Sequence, residues 1–279
     1  MTDRIPVKAV IASGVATALA EFEPGDKIPS QYIDGLMGSN MLINCGVPVI
    51  NQSGFSGGAL SAGAYGYDMW KAGAGGCNVT INPSTGVFTH TSGPLQQILE
   101  APEAAWGLPL TLSLESPSGS VSVSVGGASG TITAGSGRRS VTLTPTGSGN
   151  MTVQLTASGV TYSQPRLERG SVATSPEYRG AAIELLLCQR HYEIFFLGGT
   201  NGTINAANQV LGIGVTWNVE KRAIPSISLV PGSDVATAFP VGLASFNNID
   251  KRSAIAFKMS TGGSSNAGWY QAVAIDARL

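Results

Sequence analysis

A chain of 279 residues is long enough for one or two domains with a sizeable core. Only 12% of the residues are charged and the net charge is -1, so no field gathers phosphate backbones, and nucleic acid is not expected as a partner. No apolar run is long enough to cross a bilayer as a helix, and the 37 glycines point to sheets joined by tight turns.

Residues 1–38 form the first zone. Arg4 and Lys8 precede "AVIASGVATALA", which ends in small residues as a secretory cleavage site does. The run is poor in leucine and Asp3 stands in what should be its positive flank, so a signal peptide is not expected. Downstream, Pro24, Gly25 and Pro29 forbid one continuous helix. The zone reads as an extended arm that orders by packing on something else.

Residues 39–180 alternate apolar and hydroxyl side chains in short bursts: "LTLSLES", "SVSVSVGG", "GTITAGSG", "SVTLTPTG" and "MTVQLTASG". Period two places Val121, Val123 and Val125 on one face and the intervening serines on the other. Strands at this spacing predict an antiparallel β-sandwich.

The last zone, 181–279, opens with the most helix-like segment of the chain. Ile183, Leu186, Leu187 and Ile194 follow one helical stripe; Leu185, Cys188, Tyr192 and Phe195 follow a second. A helix apolar on two sides belongs between layers, domains or subunits. Ser171, Thr174 and Ser175 are available upstream as caps or turn residues. Strands then resume in "IGVTWNVEKRAIPSISL", "SAIAFKMS" and "GWYQAVAIDARL".

Residues that carry chemistry are sparse. Cys45, Cys77 and Cys188 are odd in number and widely spaced, which suits a reducing compartment and packing as small apolar side chains. His90 and His191 stand far apart, without a metal-ligand spacing, so neither a metal nor another cofactor is expected. Glu100, Glu103 and Glu115 include the pair a glycosidase needs, but solvated loop carboxylates are commoner, and the chain does not read as an enzyme. Among the tryptophans, Trp70 reads as core, Trp106 lies in a loop-like context that favours exposure, and Trp217 suits core or surface equally. Trp269 and Tyr270 follow the polar stretch "STGGSSNAG", which makes them the best candidates for a contact surface, beside a structural role.

The succession "NMLINCGVPVINQSG", "YGYDMWKAG", "QPRLERGSVATSPEYRG" with "ELLLCQRHYE", "VEKRAIPSISL" and "GWYQAVAIDARL" resembles the framework of bacteriophage tail-fibre and related virion appendage proteins. The lead-in "ALAEFEPGDKIPSQYIDG" is similar to theirs as well. The resemblance implies a jelly-roll-like sandwich of the carbohydrate-binding type in the middle, a helix that carries the chain across, and a C-terminal β-domain at a trimeric tip. The expected protein is a mainly β, homotrimeric structural protein of the virion, assembled in the host cytoplasm and not inserted in a membrane. Its arm, 1–38, would dock on other virion proteins, and Ile183, Leu186, Leu187 and Ile194 would form trimer contacts. A capsid head fibre or decoration protein, and a secreted carbohydrate-binding adhesin, are the alternatives. The middle zone has many hydroxyls but few rings. The host surface, a glycan or a protein, is therefore expected at C-terminal loops, through Asn247, Asn248, Ser264, Ser265, Asn266, Trp269 and Tyr270.

Overall fold

The computed structural model describes residues 7–12, 15–21, 40–176 and 179–279. It is mainly β, with several antiparallel sheets and one short helix, as the alternating patterns predict. In the expected arm, strands β1 (Val7–Ala12) and β2 (Val15–Glu21) pair antiparallel with each other and with no other described strand. The remainder of residues 1–39, including the proline-broken stretch, lies outside the described residues.

The middle zone folds as a two-sheet sandwich. One sheet has the order β10 (Ala128–Ile132), β9 (Val121–Val125), β12 (Met151–Thr156), β7 (Pro94–Leu99), β4 (Lys71–Ala72). The other has the order β11 (Arg138–Leu143), β8 (Leu110–Glu115), β13 (Val160–Arg169), β6 (Val87–Ser92), β5 (Cys77–Ile81), β3 (Gly58–Leu60). The chain crosses between them repeatedly, which gives the jelly-roll-like character. The hairpin β9–β10 turns on Gly126 and Gly127, both at positive φ, the conformation that a two-residue turn between right-twisted strands requires.

Side-chain alternation builds the core. Val121, Val123, Val125, Val153 and Leu155 from one sheet meet Leu110, Leu112, Leu114 and Phe88 from the other. Phe88 stacks on Tyr162 and takes Trp70 edge-on, with ring centroids 5.2 and 5.4 Å apart. Trp70 is fully buried, as expected of a core residue, and its indole N–H donates to the Asn44 carbonyl at 2.9 Å.

The helix, α1 (Ala181–Gln189), is shorter than its apolar stripes suggest. Ile194 and Phe195 lie instead in β14 (Tyr192–Ile204), so the helical spacing ends at Gln189. Both stripes ran across the polar break Gln189-Arg190-His191, and pairing of β14 with a later strand fixes the period-two conformation beyond it. The predicted caps also differ. Gly180 is the N-cap and makes no side-chain cap, while Thr174 is held by Glu168 at 2.8 Å through its N–H and 2.7 Å through its hydroxyl. The first turn carries Glu184, whose carboxylate suits the positive end of the helix dipole.

The C-terminal domain is a second, smaller sandwich. In one sheet β20 (Ser264–Asp276) pairs with β14, β16 (Ser226–Leu229) and β17 (Val235–Thr237). The facing sheet has the order β15 (Val210–Thr216), β19 (Ser253–Met259), β18 (Ser245–Asn247). Leu197, Val215, Trp217, Ala256, Trp269, Val273 and Ile275 form its core, separate from that of the first sandwich.

Candidate contact surface

The junction between the sandwiches is polar and closely paired. Glu184 of α1 accepts the Asn44 N–H at 2.8 Å and lies 3.1 Å from the Arg179 guanidinium. Arg179 also donates to the Asn40 and Leu42 carbonyls. Gln52 bridges the buried Asp68 carboxylate to the Tyr192 carbonyl, with contacts of 2.6 and 2.7 Å. Glu100 pairs with Arg190 at 2.9 Å. Lys221 and Glu193, both fully buried, approach to 3.2 Å, and Asn218 donates to the other Glu193 oxygen. His191 is buried among Arg190, Arg222, Lys221 and Glu100; burial is the main cause that lowers its pKa to about 4.

The carboxylates and histidines singled out in the sequence have structural partners. Glu100 is committed to Arg190, Glu103 accepts the Gly149 N–H at 3.0 Å, and Glu115 lies 3.6 Å from Arg138. His90 bridges the Tyr162 hydroxyl at 3.0 Å and the Gly93 carbonyl at 2.8 Å inside the core. The three cysteines are buried and free. A cavity of about 410 Å³ beside the segment that leads into α1 is lined by Arg138, Arg166, Arg179 and Glu184. Its charges answer one another: Arg166 lies 3.1 Å from Glu168 and Arg179 the same distance from Glu184. Among the described residues no cluster of three His, Cys, Asp or Glu side chains stands at metal-binding distance, and no helix is long and apolar enough to cross a membrane.

The sequence-predicted contact residues do not form one patch. Along β20, Ser264 stands opposite Ile204 and Asp276 opposite Tyr192, so Ser264, Ser265 and Asn266 lie at the end of the domain remote from the junction. Asn247 pairs with Ile255. Asn247 and Asn248 lead into the 250–252 turn, which lies at the junction end, where the Lys221 N–H donates to the Lys251 carbonyl.

Trp269 and Tyr270 are corrected most sharply. They sit within a continuous strand rather than a flexible loop, and neighbours in a strand point to opposite faces. Trp269 is 3% exposed and packs in the core, whereas Tyr270 is 48% exposed. The Tyr270 ring instead stacks with Phe196, 62% exposed, at 6.2 Å between centroids and 17° between planes. In the sequence Phe195 fits a helical stripe, and only the strand conformation of β14 turns its neighbour Phe196 outward beside Tyr270. The other tryptophans are settled by partners. Trp217 is core, with its N–H 3.2 Å from the Asp250 carbonyl, and Trp106 is half-buried over Gly126 and Gly147 with its N–H 3.0 Å from the Gly149 carbonyl.

The proposed helix contacts divide as well. Ile183 and Leu186 are about half exposed, while Leu187 lines a cavity of about 270 Å³ with His191 and Glu100. Ile194 is a half-buried strand residue.

Polarity is sorted along the C-terminal domain. Between Ile194 and Ile275 the charged residues are Glu220, Lys221, Arg222, Asp234, Asp250, Lys251, Arg252 and Lys258. Six of these belong to the two turns at the junction end, joined by the Arg252–Glu220 contact at 2.8 Å. The remaining two, Asp234 and Lys258, form a buried pair at 2.7 Å. The remote end is uncharged and rich in amides and hydroxyls: Asn205, Asn208, Gln209, Thr261, Ser265 and Asn266 are exposed there. Its turns are tied together by the Asn208 N–H to the Ser260 carbonyl at 2.9 Å and the Ser260 N–H to the Gln209 carbonyl at 2.8 Å. No family model matches the chain, and comparison with curated proteins and with solved structures finds no match either.

Proposed function

We propose that the chain is a structural protein of a tailed-phage virion, a short tail fibre or similar appendage that forms a homotrimer and takes part in host attachment. Residues 1–38 dock on another virion protein, and the remote end of the C-terminal domain meets the host surface. The observation that carries this reading is the sorting of polarity: ionic groups concentrate where the two sandwiches join, and an uncharged rim of amides and hydroxyls occupies the far end. Such side chains can replace the water bound to a neutral glycan or a polar protein surface without desolvating a charge. Three copies around an axis would turn weak single contacts into useful avidity. Among the described residues β1 and β2 pair only with each other, which supports the docking role, since a two-stranded hairpin is marginal in water and gains stability by adding to a partner.

The test is made on particles. Antibody raised against the chain should decorate the tail appendages of purified virions and block adsorption to host cells. A chain that starts at Ser39 should fold but fail to join particles. Absence of the chain from virions overturns the proposal, and decoration of the capsid alone would make it a head fibre.

A further inference from the structure

The two sandwiches keep separate cores, so what joins them is local to the junction. His191 stands there between the end of α1 and the start of β14. Its backbone N–H donates to the Cys188 carbonyl at 2.9 Å and its carbonyl accepts the Ala277 N–H at 2.8 Å, which ties α1 to the end of β20. The side chain is buried, and its Nδ1 has no hydrogen-bond partner. It borders the cavity of about 270 Å³, walled on the side of the first sandwich by Met41, Ile43, Met69 and Leu99. Four charged groups face it: Glu100 just after β7, Arg190 at the end of α1, and Lys221 and Arg222 from a turn of the second sandwich. Lys221 is matched by Glu193, and beyond Ala277 the Asp276 and Arg278 side chains match each other. Arg190 and Arg222 share Glu100, at 2.9 and 3.9 Å, so two cations already divide one carboxylate. A proton on His191 would add a third.

We infer that this junction is an acid-sensitive hinge: a proton taken up by His191 drives the two sandwiches apart while each keeps its own fold. With the joint closed, a charged ring is buried beside two cations that share one carboxylate; with the joint open, water solvates it. The closed form therefore holds the ring neutral, and burial lowers its pKa to about 4 from an ordinary 6.5. The preference for the closed form is complete above about pH 6.5 and is lost as the pH falls towards 4. Asp68, also at the junction, acts in the opposite sense, because burial raises its pKa and protonation in acid relieves a desolvated charge. Its effect is the smaller, since the two hydrogen bonds from Gln52 and the nearby Arg278 all favour the carboxylate. Each apolar core lies within one sandwich, so opening the joint breaks up neither.

Energy transfer within the full chain tests this. Donor and acceptor dyes are placed on Ser84→Cys and Ser265→Cys, one in each sandwich, while the three native cysteines are buried and escape labelling in the folded protein. An excess of unlabelled chain confines the signal to distances within one molecule. Transfer should change reversibly between pH 6.5 and 4 while the far-UV circular dichroism stays constant. The ring signal of His191 in NMR, distinguished from that of His90, should titrate along the same curve. His191→Gln should move the midpoint to lower pH. Constant transfer down to pH 4 overturns the inference, as does an unchanged midpoint in His191→Gln. A change that comes with loss of circular dichroism overturns it too, since that is unfolding of the whole chain. Should His191→Gln fail to fold at neutral pH, the ring titration decides: transfer that changes before His191 takes up its proton overturns the hinge. None of these outcomes depends on whether the chain is found on virions.

Discussion

The guanidinium of Arg278 lies between two rings, 4.2 Å from the centre of Tyr65 in the first sandwich and 4.1 Å from that of Tyr192 at the start of β14. Asp276 holds it in place with contacts of 3.0 and 2.6 Å. The last residues of β20 are thereby tied to both domains, and the two sandwiches are joined by more than the helix between them.

Replacing Arg278 by Ala should therefore weaken the junction by about 1–2 kcal/mol, the worth of a largely desolvated cation–π contact. Calorimetry should show a lower melting temperature or the separation of one transition into two. Arg278→Lys should recover little, because a point charge does not stack as a planar guanidinium does.

Lys221 and Glu193 are both fully buried, so removing one partner strands the other charge. Lys221→Met or Glu193→Leu alone should cost about 3–5 kcal/mol in urea unfolding, and the double substitution should cost much less than the two added together.

Burial holds His191 neutral in the fold, with a pKa near 4 against an unfolded value of 6.5. Below 6.5 the unfolded chain gains a proton that the folded chain refuses. The associated stability is complete above about pH 6.5 and falls through the window down to pH 4, by about 3 kcal/mol at its lower end. Unfolding free energies measured across that window should lose this part of their slope in His191→Gln. His90, also lowered by burial, contributes in the same direction and should be untouched by that substitution.

Trp269 and Tyr270 should behave as opposites despite their adjacency. Trp269→Ala opens a cavity in the core of the second sandwich and should cost about 3–5 kcal/mol. Tyr270→Ala removes an outward ring and should leave the stability of an isolated protomer within about 1 kcal/mol. Equal losses measured by chemical denaturation would contradict the placement of the two side chains.

Much of the architecture was legible because it rests on local alternation. Val121, Val123 and Val125 faced the core as their period-two spacing required, and the low charge announced sheets with hydroxyl-rich exteriors. The helix was found but overextended, since apolar residues on both sides of Arg190 fit a spacing of three and four equally well. Only the pairing of β14 with β20 decides that the second half is a strand.

What the sequence determined alone was therefore the mainly β class of structure, with one short helix, and the scarcity of reactive groups, both of which follow from composition and short-range periodicity. Tertiary structure decided which faces are left open. Whether Trp269 or Tyr270 looks outward depends on which side of the strand the facing sheet covers, and whether Phe196 joins Tyr270 depends on the pairing of β14 with β20; both are contacts between strands well separated along the chain. The same long-range packing set the Asn247–Asn248 turn and the Ser264–Asn266 segment at opposite ends of one domain, because antiparallel pairing sends sequence neighbours apart and brings distant segments level.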